Sequence, residues 1–97
     1  MKFERLAIDG AWLIAPTRSE DERGYFMRTW CREEFAEAIG PVEFVQTSQS
    51  YNRRAGTLRG LHYQRAPHGE TKLVRCIRGA IYDVIADIRP RSRTYGH

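Results

Sequence analysis

The sequence contains little cysteine and no long hydrophobic run. Its two cysteines, Cys31 and Cys76, lie far apart and form no Cys-x-x-Cys pair, so a disulfide-rich scaffold is excluded. No apolar stretch approaches the roughly 20 residues that a membrane helix needs. The first residues also lack the pattern of a signal peptide. We therefore expect a cytoplasmic protein with free, buried thiols and no contact with a membrane.

Lysine is also scarce. Lys2 and Lys72 are the only two, against fourteen arginines, in a chain with a formal net charge of +4. Arginine has a planar fork that binds phosphate through two hydrogen bonds. The arginines are scattered, however, and the chain lacks the basic stripe or motif typical of nucleic-acid binders. A protein that handles a phosphorylated small molecule fits the composition at least as well as a nucleic-acid binder, and we expect no nucleic acid as partner.

The length of 97 residues limits the chain to a single domain, residues 1–97. A domain this short buries only a modest fraction of its surface. The segment from Arg89 to the end has the composition of a turn that leads to another strand. We therefore expect a truncated domain that needs a partner chain or a further segment to complete its core.

One helix and several strands are predicted. Phe35, Ala36 and Ile39 share a face of a helix near residues 31–39, which Gly40 and Pro41 end. Strands are predicted over Trp12–Ala15, Tyr25–Met27, Val42–Ser50, Gly56–Gln64, Lys72–Ile77 and Ala80–Ile88, and a loop over Thr17–Gly24. The last two strands are predicted to form a hairpin. The chain is thus predicted to be mainly β, an antiparallel jelly roll or barrel with one short helix.

The last predicted strand has one apolar face. That face consists of Tyr82, Val84, Ala86 and Ile88. Asp83 and Asp87 lie opposite it, where they either line a pocket or face solvent.

The most distinctive motif is Leu58–Gln64, which reads Leu-Arg-Gly-Leu-His-Tyr-Gln. Its flanking motifs are Asp21–Phe26, Phe44–Gln46, Pro67-His68, Lys72–Arg75, Arg78-Gly79, Asp83-Val84, Asp87–Arg89, Ser92 and Thr94–Gly96. In order and spacing this series resembles the first half of the dTDP-4-dehydrorhamnose 3,5-epimerase family. The resemblance implies a metal-free, cofactor-independent cupin jelly roll, a homodimer, and a nucleotide-linked 4-keto-6-deoxy sugar as substrate.

The implied reaction removes a proton from a carbon beside a ketone and returns a proton to the opposite face. The enzyme needs a base, a cation at the carbonyl oxygen that becomes an enolate, and an acid. His62 matches the family's base, and Lys72 matches the cation. By residue type alone, His62 would more often be a hydrogen-bonded core histidine, and Lys72 is as readily a solvated surface lysine.

Four more residues match the family's substrate contacts. Arg23 and Arg59 match diphosphate or sugar contacts, Gln46 matches a nucleotide contact, and Phe26 matches a ring that stacks on the base. By residue type alone, each arginine is more often a solvated charge, and Phe26, like Tyr25, is slightly better explained as a core aromatic.

A geometric condition applies to the central motif. Strict alternation places Arg59 and His62 on opposite faces of a strand. For both to line one pocket, the strand must bulge, and Gly60 between them permits that.

The sequence also departs from the family pattern. Arg28 stands where the family carries an acidic residue, and Thr47 and Ser48 replace an acidic residue and an asparagine after Gln46. These changes bear on the choice of nucleotide more than on the chemistry. The resemblance places the proton-donating tyrosine and the aspartate that pairs with the base beyond residue 97, so we expect little or no epimerase activity from these residues alone.

Two other functions fit the sequence less well. A metal-dependent cupin such as a dioxygenase needs clustered histidines, but Gln64 breaks the usual His-x-His pair, and His68 and Glu70 are poor substitutes. A non-catalytic remnant that binds a sugar nucleotide, or pairs with a full-length homologue, is the stronger alternative.

Overall fold

The computed structural model describes all 97 residues. The chain begins with an antiparallel hairpin. Its strands are β1 (Lys2–Arg5) and β2 (Trp12–Ala15), and Phe3 pairs with Ile14. Both of these side chains are half-buried, whereas Leu13 is exposed. The predicted edge strand over β2 is confirmed, because each strand of a two-stranded sheet is an edge.

A second hairpin follows, with strands β3 (Arg18–Asp21) and β4 (Gly24–Met27). β4 confirms the strand predicted at Tyr25–Met27, but the loop predicted over Thr17–Gly24 is wrong where β3 forms. All four β3 side chains are exposed. The strand is therefore held by main-chain pairing alone and has no apolar alternation that a sequence pattern could detect.

The predicted helix is confirmed as α1 (Arg32–Ala38). Phe35 is buried and Ile39 is half-buried, but Ala36 is exposed, so the predicted face was wrong at that position. The face that packs is set by i, i+3 and i+4 spacing from Phe35. The helix stops as predicted, because Gly40 takes a φ of 120° and donates its N–H to the Phe35 carbonyl at 3.1 Å.

A cluster of four aromatic rings forms the core. The Phe35 ring lies 4.4 Å from Trp30 and 5.2 Å from Phe3, and Trp30 lies 4.9 Å from Phe44. These edge-to-face and tilted contacts are the arrangements that aromatic pairs prefer. Phe35 is the one fully buried apolar side chain of the molecule, at 2% exposure. The core is therefore small and lies between β1 and α1.

Residues 41–97 form turns and extended segments without a strand or a helix. The strands predicted over Val42–Ser50, Gly56–Gln64, Lys72–Ile77 and Ala80–Ile88 are therefore wrong for this structure, as is the hairpin of the last two. Strands need a neighbour that pairs with their backbone groups. The chain has 22 backbone–backbone hydrogen bonds, against about 65 in a packed chain of this length.

The apolar side chains of this second region face solvent instead of a sheet partner. Leu58 is 92% exposed and Tyr82 is 96% exposed, so the predicted apolar face of residues 80–88 is uncovered. The radius of gyration is 15.7 Å, against about 12.5 Å for a packed domain of this size. The coarse prediction of a mainly β chain, with antiparallel pairing and one short helix, is confirmed. Cys31 is half-buried and Cys76 is exposed, so the prediction that both thiols are buried is wrong. The structure contains no helix with the length and hydropathy of a membrane span.

Candidate functional site

The six predicted site residues lie in three parts of the chain. Arg23 and Phe26 belong to the second hairpin, and Gln46 follows the aromatic cluster. Arg59, His62 and Lys72 lie in the extended region. All six are exposed, and no hydrogen bond or salt bridge joins any two of them.

Arg23 is held by a carboxylate in the turn between β3 and β4. Its Nη2 donates to Asp21 Oδ2 at 2.6 Å, and its Nε lies 3.2 Å from the same oxygen. Asp21 Oδ1 also accepts the Arg23 backbone N–H at 2.9 Å, which closes the turn. The Arg23 guanidinium lowers the pKa of Asp21, and the carboxylate raises the pKa of Arg23. The pair therefore cancels its own charge.

The two aromatic residues of β4 have different surroundings. The Arg18 guanidinium lies 4.3 Å above the centre of the Tyr25 ring, a cation–π contact. Phe26 is 77% exposed and takes no part in the aromatic cluster of the core. Neither ring is a core aromatic, and the Phe26 face is free for a planar ligand.

Arg59 is held by neutral oxygens. Its Nε donates to Asn52 Oδ1 at 2.6 Å, and its Nη2 donates to the Tyr51 carbonyl at 3.3 Å. The loop that carries these partners is closed by Thr57, whose hydroxyl donates to the Arg54 carbonyl at 2.7 Å. No carboxylate lies within salt-bridge distance of Arg59, so its charge is not neutralised by the protein.

His62 is exposed, so it is not a core histidine in this structure. Its imidazole packs over Gly60, because a Cβ on Gly60 would lie 3.7 Å from His62 Nδ1. Gly60 has a φ of +107°, a conformation that side-chain-bearing residues rarely adopt. The sequence predicted a bulged strand at Gly60, whereas the structure has an extended segment without strand pairing in which Gly60 takes a positive φ.

Lys72 and Gln46 are exposed and make no hydrogen bond to another side chain. Lys72 also takes part in no salt bridge. Its ammonium group is therefore available to a ligand. A solvated surface lysine, which is the alternative for Lys72, would be exposed in the same way.

Asp87 neither lines the cavity nor faces solvent, although these were the two environments that the sequence left open. It is buried, and its carboxylate accepts hydrogen bonds from Arg89 Nε at 2.9 Å, from Thr94 Oγ1 at 2.6 Å and from the Ser92 hydroxyl. Arg89 and these hydroxyls hold the pKa of Asp87 far below its ordinary value. Arg89 also donates to the Asp9 carbonyl at 2.9 Å, which ties the last turn to the first hairpin.

Arg28 has a structural partner in the helix. Its Nη1 donates to Glu34 Oε2 at 3.2 Å, and this bond raises the pKa of Arg28. Glu34 also accepts from the Met1 amine at 3.0 Å. Arg28 therefore fastens the segment after β4 to the helix.

A cavity of about 390 Å³ lies beside the last turn, away from the predicted site. It is lined by Ala7, Asp9, Arg89, Arg91, Ser92, Arg93 and Thr94, which include none of the six predicted residues. No three His, Cys, Asp or Glu side chains are grouped so that they could hold a metal ion.

Sequence reasoning missed the residues that hold the two arginines. Asp21 lies two residues before Arg23, a spacing typical of aspartates that close turns, so a signal was present. Asn52 carries no comparable signal, because its contact with Arg59 depends on the path of the intervening loop.

The predicted site residues are therefore exposed side chains that include two arginines, a lysine and a histidine. A family model described as dTDP-4-dehydrorhamnose 3,5-epimerase matches residues 5–97. The chain belongs to this family. No solved structure gives a significant match.

Curated relatives match nearly the whole chain. A dTDP-4-dehydrorhamnose 3,5-epimerase of Methanothermobacter thermautotrophicus is 50% identical over 96 residues, which are 98% of this chain and 50% of that protein. A Sinorhizobium fredii protein of the same name is 43% identical over 99% of this chain and 49% of its own. A Streptomyces niveus dTDP-4-dehydrorhamnose 3-epimerase is 42% identical over 99% of this chain and 46% of its own. The chain spans about half the length of these relatives.

Proposed function

We propose that this chain provides the base-bearing part of an epimerase that acts on a nucleotide-linked 4-keto-6-deoxy sugar in dTDP-rhamnose biosynthesis. The observation that carries the proposal is the family match over residues 5–97, which includes His62 and Lys72. Relatives named as 3,5-epimerases at 39–50% identity support it. The exposed, unneutralised Lys72 is compatible with it.

In the proposed reaction, the neutral His62 imidazole takes a proton from a carbon beside the ketone. The electron pair of the broken C–H bond forms a C=C bond, and the carbonyl oxygen becomes an enolate. The Lys72 ammonium stabilises that charge more strongly than it stabilises the neutral ketone. A proton from an acid on the opposite face, which the proposal assigns to no residue of this chain, reforms the ketone with inverted configuration. His62 then releases its proton to solvent, and no cofactor is needed.

In the proposed binding mode, Arg59 and Arg23 contact the diphosphate, Gln46 contacts the nucleotide, and Phe26 stacks on the base. Two observations support this assignment. Phe26 is exposed, and Arg59 has N–H groups on Nη1 and Nη2 that make no bond within the protein. The structure leaves these groups apart, so the proposal includes a closer approach in the assembled site.

We further propose that residues 1–97 are part of a single cupin-type jelly-roll domain that works as a homodimer. The antiparallel hairpins and the unpaired, apolar segments of residues 45–88 support this, because such segments gain stability from added strands. The free thiols of Cys31 and Cys76 fit a reducing compartment such as the cytoplasm.

The test is solvent deuterium incorporation into dTDP-4-keto-6-deoxyglucose. We expect His62→Ala to lower incorporation by about 100-fold or more, because the base takes the proton directly. The control is His68→Ala, which removes another exposed histidine six residues along the chain. Equal loss in both variants, or incorporation that survives His62→Ala, contradicts the proposal. Nucleotide binding without incorporation in the parent chain indicates the non-catalytic alternative.

A further inference from the structure

The two arginines of the proposed diphosphate site are held by chemically different partners. Arg23 donates from both Nε and Nη2 to the Asp21 carboxylate. Arg59 donates one to the amide oxygen of Asn52 and one to the Tyr51 carbonyl. One guanidinium is held by an anion, and the other is held by neutral dipoles.

This difference decides how much attraction each arginine keeps for a phosphate. The carboxylate of Asp21 lies 2.6 Å from Arg23 and competes directly with an incoming anion. Asn52 fixes the direction of the Arg59 guanidinium without reducing its charge. Holding a long, flexible side chain in advance also lowers the entropy lost when a ligand binds.

The hydrogen-bond geometry leaves the useful edge of Arg59 free. Nε donates its N–H to Asn52, and Nη2 donates one of its two N–H groups to the Tyr51 carbonyl. Nη1 and the other Nη2 N–H make no bond within the protein, and together they form the pair that grips a phosphate through two oxygens. Only the amide oxygen of Asn52 can face Nε, because arginine has donors and no acceptor.

We propose that Asn52 is a positioning residue for Arg59, and that Arg59, rather than Arg23, is the main cation for the diphosphate of the substrate. This inference rests on the proposed function, because it assumes a nucleotide diphosphate ligand. It adds a residue, Asn52, that works through Arg59 and makes no contact of its own with the substrate.

The experiment combines an unliganded and a liganded measurement. In the chain without ligand, we expect the Arg59 Nε–H NMR signal to be resolved and slow to exchange, and Asn52→Ala to abolish that protection. Thr57→Val is the control, because it removes a different hydrogen bond from the same loop. An Arg59 signal unchanged in Asn52→Ala, or lost equally in Thr57→Val, overturns the positioning role.

In the liganded measurement, dTDP is titrated by calorimetry. Asn52→Asp keeps the acceptor but adds a negative charge, so we expect dTDP to bind at least about tenfold more weakly. Asp21→Asn makes the reverse exchange at Arg23, and we expect binding no weaker than in the parent chain. A larger loss in Asp21→Asn than in Asn52→Asp overturns the ranking of the two arginines. If the parent chain does not bind dTDP, the proposed function and the role of Arg59 fail, and the NMR arm still decides whether Asn52 holds Arg59.

Discussion

Residues 1–44 and residues 45–97 differ more in packing than in composition. The first region contains all four strands, the helix and the aromatic cluster. The second contains most of the exposed large apolar residues, including Leu58, Leu61 and Tyr82. Both regions carry strand-forming sequence, so intrinsic preference does not explain the difference.

The distance along the chain between pairing partners does not explain it either. β3 and β4 are joined by a two-residue turn, and β1 and β2 by residues 6–11, so closing either hairpin costs little chain entropy. In the second region, residues 72–77 and 80–88 are also separated by only two residues, yet they do not pair. The comparison teaches that strand-forming sequence and a short connection do not by themselves produce a strand.

The largest effect is expected from removing the packed core, which would leave residues 1–44 as loosely packed as residues 45–97. Phe35→Ala removes the ring at the centre of the aromatic cluster, at a cost of about 3–5 kcal/mol. We expect the near-ultraviolet circular dichroism of Trp30 to collapse, because its packed neighbour is lost. Leu13→Ala, at an exposed position of β2, serves as the control and should change stability by less than about 0.5 kcal/mol. A preserved Trp30 signal in Phe35→Ala contradicts a single shared core.

The elements that the sequence predicted correctly are those with local signals. The helix ends where Gly40 and Pro41 require it, and β2 shows its alternation within four residues. β3 was missed because its stability comes from backbone bonds to β4, which leave no mark on side-chain polarity. The strands predicted after residue 41 failed because a pattern reports preference and contains no information about a partner.

The candidate site shows the same limit. The motif around His62 identifies the types of group needed for proton abstraction, but the strand in which Gly60 was predicted to form a bulge is absent. The partners of these groups depend on loop paths, which is why Asn52 was not predicted. Asp87 was placed on a strand face, but the turn that follows it folds back and buries its carboxylate.

A smaller effect is expected at the one well-bonded part of the second region. Asp87→Ala removes the acceptor for Arg89, Ser92 and Thr94, so we expect the turn over residues 87–97 to lose its order. The amide of Gly96, which donates to the Asp87 carbonyl at 2.7 Å, reports this by NMR. Asp83→Ala removes an exposed carboxylate from the same segment and should leave that signal unchanged.

The Asp87 carboxylate also predicts in which direction the order of the last turn depends on pH. The folded pKa of Asp87 is lowered, mainly by its hydrogen bonds with Arg89. A lowered pKa adds stability above the ordinary aspartate pKa of about 3.9, and that stability is lost only as the pH falls through the folded value. We therefore expect the Gly96 signal to persist at about pH 3. Loss of the signal in step with ordinary carboxylate titration would contradict the hydrogen-bonded turn.

The smallest effect on stability is expected from two glycine substitutions, which compare two positions within the second region. Gly60→Ala and Gly56→Ala both place an alanine at positive φ, at a similar cost of about 1–2 kcal/mol. Only at Gly60 would the new methyl group touch the His62 imidazole, whereas the space around Gly56 is open. We expect Gly60→Ala to lower His62-dependent deuterium incorporation by about tenfold, and Gly56→Ala to retain most of it, because misplacing a base weakens proton transfer. The NMR signals of the His62 ring should shift in the first variant alone. Equal losses in both variants would mean that backbone strain governs activity and that the contact between Gly60 and His62 has no role of its own.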